Sequence, residues 1–225
     1  MNYNLNRIRN YEVFIRDTVN EIVDNINYEK LEKENKTFLT KIKERLCFDN
    51  DKGWKFLTSS LDTIGDSHFA ISTFIEKNRN NDTGENYLRI YGVLSAVYIQ
   101  QQALIKLSDL IKLDKLNSMK KEIKSLKITF LRNCISAHPV NFNNNSELIS
   151  FKIDRNSVNQ KGTLSVIDEN NNSENYHIFE CLITYLKIAE IYLEKICYKL
   201  VKNAFKTSEP KIKTLEFQIQ KIKSD

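Results

Sequence analysis

Apolar residues recur every three to four positions over long stretches of this chain, the spacing of one face of an α-helix. Ile8, Tyr11, Ile15, Val19, Ile22 and Ile26 predict a helix over residues 5–27. Leu31, Phe38, Ile42 and Leu46, set among many charges, predict a second and more solvated helix over 29–46. Residues 47–59 include Asp-Asn-Asp-Lys-Gly and read as a loop, with Trp54, Phe56 and Leu57 anchoring its far end. A helix follows over 62–77, with Asp62 and Thr63 in its N-cap region, then a polar loop over 78–85. Residues 86–111 are the most apolar stretch. Its apolar side chains surround most of the cylinder, which suits the centre of a bundle and gives Gln100, Gln101 and Gln102 a buried hydrogen-bond network. Met119, Ile123, Leu126 and Phe130 then mark one continuous helix over 117–135.

Beyond Pro139 the period changes. Residues 141–145 form an asparagine-rich loop, whereas 148–157 and 162–168 alternate apolar with polar and predict a β-hairpin across a linker at 158–161. A second asparagine-rich loop at 168–175 leads to a long final helix over 176–206, through Leu182, Leu186 and Leu200. Pro210 bounds it, and the Lys-rich remainder to residue 225 is either a docked helix or disordered. The expected fold is an all-α bundle with a small inserted β-hairpin, one domain over 1–206 followed by a tail over 207–225.

Composition narrows the choice. Five glycines and two prolines in 225 residues favour long helices over turn-rich β architectures. Such glycine poverty also removes Gly-rich phosphate loops. The longest apolar run, residues 91–99, is half the length of a membrane span, and the first residues carry no apolar signal core, so a cytoplasmic location is expected. Cys47, Cys134, Cys181 and Cys197 have no metal-like spacing and read as reduced, mostly buried thiols. No metal and no cofactor is expected. His68 and His177, each placed at a helix start, read as structural or exposed.

The stretch with chemistry is Leu-Arg-Asn-Cys-Ile-Ser-Ala-His-Pro-Val, residues 131–140. In an unbroken helix, six steps of about 100° would leave Arg132 and His138 roughly 120° apart. Pro139 pushes His138 out of helical conformation, so the helix is expected to end near Cys134 to Ser136, leaving His138 free to fold back. Arg132 offers a planar fork for phosphate, His138 offers proton transfer near neutral pH, and Asn133 can position either. These residue types suit one half of a site for metal-free RNA cleavage. Cys134 reads as packing rather than as a nucleophile. Lys120, Lys121, Lys124 and Lys127 lead toward Arg132, either as a solvated face or as a ridge that tracks RNA phosphates.

With its surroundings, this stretch resembles the HEPN superfamily, whose signature is an arginine, four to six intervening residues and a histidine, often with a polar residue after the arginine. Arg132, Asn133 and His138 match it. The blocks Ser60 to Ile71, Tyr87 to Gln101 and Arg132 to Pro139 are similar in order to a bacterial HEPN-like group. The resemblance implies a helical bundle that dimerises so that two Arg–His sets face each other. It also implies a metal-independent endoribonuclease of toxin or antiviral-defence type, with Arg132 and His138 catalytic, Asn133 supporting them, and an antitoxin or defence-system protein as a further partner. The alternative is an inactive HEPN-like module that binds RNA, a nucleotide or a partner protein, with Lys120, Lys124 and Lys127 supplying affinity. Some toxin members carry a modified tyrosine two residues beyond the histidine; this chain has Val140 there.

Overall fold

The computed structural model describes residues 3–77, 82–144, 147–158 and 162–224. The chain is mostly helical with a small antiparallel β region. Parts of the expected loop at 78–85 and of the linker at 158–161 lie outside the described residues.

The first helix, α1 (Asn6–Asp24), buries Ile8, Tyr11, Ile15, Val19 and Ile22 along the predicted stripe. The expected second helix is two. α2 (Tyr28–Lys33) starts where Asn27 accepts from the Lys30 N–H, and α3 (Phe38–Leu46) where Thr37 accepts from the Thr40 N–H. Asn35, at φ 52°, breaks the helix between them. α4 (Gly53–Glu76) begins well before residue 62. What was expected as loop is a short turn over 47–52, entered through Cys47 at φ 61° and followed by a first helical residue packed under Phe48. A Cβ at Gly53 would meet that ring at 2.5 Å, so the tight launch of α4 requires glycine. Asp62 and Thr63 are therefore mid-helix residues rather than caps.

α5 (Thr83–Leu110) is capped by Asp82, whose carboxylate accepts from the Gly84 and Glu85 N–H groups. The helix expected over 117–135 is broken into α6 (Leu116–Lys124) and α7 (Lys127–Arg132). Leu126 is extended, with ψ 140°, and the Thr129 hydroxyl donates to the Ile123 carbonyl at 2.8 Å, serving an acceptor freed by the break. Met119 and Ile123 are buried as expected, but Leu126 and Phe130 are half-buried.

The β region is larger than a hairpin. β1 (Phe142–Asn144) pairs with β2 (Glu147–Ile149) in a two-stranded sheet, where a loop was expected at 141–145. β3 (Phe151–Ile153) pairs with β4 (Thr163–Asp168) as the hairpin reading required, with the short α8 (Arg155–Val158) between them. β4 also pairs with β5 (Ser173–His177), a segment read as loop and helix start. Asp168 makes this possible. Its carboxylate accepts from the Asn170 and Asn172 N–H groups and from the Asn172 side chain, folding the asparagine-rich run into a tight turn. Those bonds, the Asn172 side chain's foremost, hold the Asp168 carboxyl below its ordinary range. α9 (Ile178–Ala204) follows, then α10 (Glu209–Ser224), which makes the Lys-rich tail a helix that buries Leu215 and Ile219. Pro210 sits in its first turn, where a missing N–H costs nothing.

The chain forms two compact units. One comprises Met1–Gly65, Gln102–Asn117 and Ala189–Asp225, the other Asp66–Gln101 and Ser118–Ile188. Within the first unit, the fully buried Glu12 receives bonds from Arg9 and Arg16, and Arg16 also reaches Asp62 at 2.7 Å. Lys211 of α10 pairs with Glu21 of α1 at 2.7 Å. The second unit holds α6 from Ser118 onward, α7 and the five strands of the described residues.

Candidate functional site

α7 does not stop at Arg132. It continues into a wide π-turn over Asn133–Ala137, closed by the His138 N–H donating to the Asn133 carbonyl at 2.9 Å. The helix thus runs slightly further than the expected end at 134–136. A bond from residue i+5 to residue i makes those two positions neighbours along the axis, as i+4 and i are in an α-turn. His138 leaves the helix at φ −135°, as a residue before proline must, and lies exposed. The inner face of this segment is apolar: Ile128, Leu131 and Cys134 are fully buried and Ile135 nearly so.

Arg132 is half-buried, with its guanidinium over the Tyr98 ring at 3.7 Å from the centroid. Its Nη1 donates to Asn133 Oδ1 at 3.0 Å. Stacking fixes the plane of the fork and leaves its remaining N–H groups at the edge. Arg132 and His138 are therefore linked through Asn133, by a side-chain bond on one side and a backbone bond on the other. Among the described residues, Arg132 forms no ion pair.

A second contact one turn away holds this arrangement. Gln101 donates to Thr129 at 2.9 Å, and both residues are buried. Gln101 lies three residues from Tyr98 on α5 and Thr129 three from Arg132 on α7, so both pairs fall on the same two helix faces. Tyr185 donates to Gln100 at 2.9 Å, tying α9 to the same helix. The expected glutamine network exists for Gln100 and Gln101; Gln102 is exposed and outside it.

On the far side of His138, the Pro139 carbonyl accepts from the Phe151 N–H at 2.6 Å, fastening the segment after the π-turn to β3. Phe130, Phe142 and Phe151 meet edge-to-face, with centroids 5.5 to 5.9 Å apart, and Tyr176 packs at 6.2 Å from Phe130. The turn therefore stands on an aromatic cluster built by α7 and three strands. Burial pushes the Cys134 thiol up to about 12, which keeps it protonated and unsuited to nucleophilic attack.

The lysines divide. Lys120 and Lys124 are exposed on α6. Lys127, at the start of α7, lines a pocket of about 400 Å³ together with Ser125, Asn175, His177 and Glu180. Arg132, Asn133 and His138 do not line that pocket. His177 closes β5 and is exposed; His68 is buried inside α4, not at a helix start, with its Nε2 3.2 Å from the Ser72 hydroxyl. Cys134, Cys181 and Cys197 are buried free thiols and Cys47 is partly exposed. Among the described residues, no group of three or more His, Cys, Asp or Glu is disposed to hold a metal ion, and no helix is long and apolar enough to cross a membrane. Tyr98 is the site residue that sequence reasoning missed.

No protein-family model, curated protein or solved structure matches this chain.

Proposed function

We propose that this chain is a HEPN-type, metal-independent endoribonuclease that acts as a homodimer, with Arg132, Asn133 and His138 as its site. The observation that carries the reading is the π-turn, which joins a stacked, uncompensated guanidinium, a neutral amide and an exposed imidazole over seven residues. The chemistry is transesterification: the 2′-oxygen attacks phosphorus, the bond to the 5′-oxygen breaks, and a 2′,3′-cyclic phosphate and a free 5′-hydroxyl result. His138 moves a proton at one of the two oxygens. Arg132 holds the phosphate oxygens as their charge grows. Asn133 keeps the guanidinium and the turn in register. One such set supplies one acid or base; a second copy of the chain supplies the other. Exposed Lys120 and Lys124, with Lys127 beyond them, extend positive charge along the RNA backbone. A toxin or defence role, restrained or triggered by a partner protein, fits an enzyme of this kind.

The test is cleavage of single-stranded RNA by purified protein in EDTA, alongside folded His138→Ala and Arg132→Ala variants. Each substitution is expected to lower the rate by about 100-fold or more. Equal cutting by all three proteins would refute the assignment. Salt-sensitive RNA binding without cutting would favour the inactive RNA-binding module.

A further inference from the structure

The first unit contains a pocket of about 270 Å³ lined by none of the residues of the proposed ribonuclease site. The end of α1, α2, α3 and the residue after α9 form its walls. Ile22, Leu31 and Phe205 make an apolar floor, exposed by only 5%, 5% and 8%. Around the rim stand Lys30, Lys41 and Arg45, with Glu34 as the single carboxylate.

That carboxylate is already taken. Its two oxygens lie 3.8 Å from Lys30 and 3.5 Å from Lys36. The next acid along, Glu44, sits 3.0 Å from Lys36 and reaches Lys41 only at 4.0 Å. Arg45 is exposed and has no ion pair or hydrogen bond among the described residues. Positive charge is thus in excess over an apolar floor. An anion with an apolar body answers both: the body displaces water from the floor, and the head meets a guanidinium fork suited to carboxylate or phosphate oxygens.

We infer that this pocket binds a small amphipathic anion, with its apolar end on Ile22, Leu31 and Phe205 and its carboxylate or phosphate on Arg45 and Lys41. The volume falls just below the usual range for ligand sites, which restricts the ligand to a short chain or single ring. The site is independent of RNA cleavage and would stand if that reading fell.

Four probes with one eight-carbon chain separate the contributions: octanoate, octyl phosphate, octanol and octylammonium, titrated calorimetrically into the full chain. Octanoate or octyl phosphate is expected to bind, and the tighter of the two identifies the head group. Octanol is expected to bind about tenfold more weakly, the loss of a charge-assisted bond, and octylammonium not at all. Arg45→Gln, at an exposed position that leaves the fold intact, is expected to weaken the better anion by about tenfold; Lys41→Gln tests the second cation. Equal affinity for octanol or octylammonium, an unchanged affinity in Arg45→Gln, or no binding of either anion at millimolar concentration would overturn the inference.

Discussion

Arg16 on α1 and Arg132 at the end of α7 are both half-buried arginines, yet their surroundings are opposite in kind. Arg16 lies between two carboxylates, the fully buried Glu12 and Asp62 at 2.7 Å, and shares Glu12 with Arg9. Its charge is consumed in holding α1 to α4. Arg132 has a tyrosine ring beneath it and an amide oxygen beside it, both neutral. Its plane is fixed and its charge is left over. A buried carboxylate that matches an arginine serves the fold; neutral partners keep an arginine oriented while its charge stays available to an incoming anion.

The sharpest way to break this comparison is to measure stability at both places. Glu12→Ala removes charge-assisted bonds to two arginines and is expected to cost about 2–3 kcal/mol, read as a lower denaturant midpoint. Arg132→Ala loses mainly a stacking contact and is expected to cost about 1 kcal/mol or less. Similar costs at the two sites would erase the distinction. A smaller effect sharpens it: Tyr98→Leu is expected to slow RNA cleavage about tenfold with little loss of stability, because the guanidinium keeps its charge and loses its platform. A decrease no greater than that of an exposed α6 substitution outside the basic ridge, such as Ser118→Ala, would mean the stack positions nothing. The smallest expected effect is at Cys134, where Cys134→Ala should leave cleavage near neutral pH within about twofold, since the thiol is packed and protonated. Its pH signature lies elsewhere. The folded-state value is raised from 9.0 to about 12, so its contribution is full below pH 9 and is lost as pH rises toward 12. Unfolding free energy in that window should fall less steeply in Cys134→Ala than in the parent protein.

Periodicity made α1 and α9 legible, because each carries a long apolar stripe that packing then buries, whereas α5 is read from apolar residues all round its cylinder, of which Leu88, Tyr91 and Ile99 stay exposed. The failures share a different cause. The break at Leu126 depends on Thr129, whose hydroxyl serves the Ile123 carbonyl and also receives Gln101, 28 residues away. The early start of α4 depends on Phe48 covering a glycine. β5 was hidden because asparagines suggest loop, while the Asp168 carboxylate uses them to make a turn and return the chain to β4. In the candidate site, the residue types of Arg132, Asn133 and His138 could be read directly. Their linkage could not, because Pro139 announces the end of a helix without saying that its last turn is wide. Tyr98 looked like one more apolar position of α5; its role exists only once α7 lies across that helix.

The wide turn over Asn133–Ala137 also has a meaning for chain length. It holds one residue more than an α-turn between the same two ends, so the helix carries a unit of slack at this point. Removing Ser136 would let an ordinary α-turn close the gap without lifting the buried Leu131 and Cys134 from the core. Everything beyond would then be pulled back one position, and the imidazole would leave the helix at a different angle. A Ser136 deletion is thus expected to spare the fold and to register in the chemistry alone.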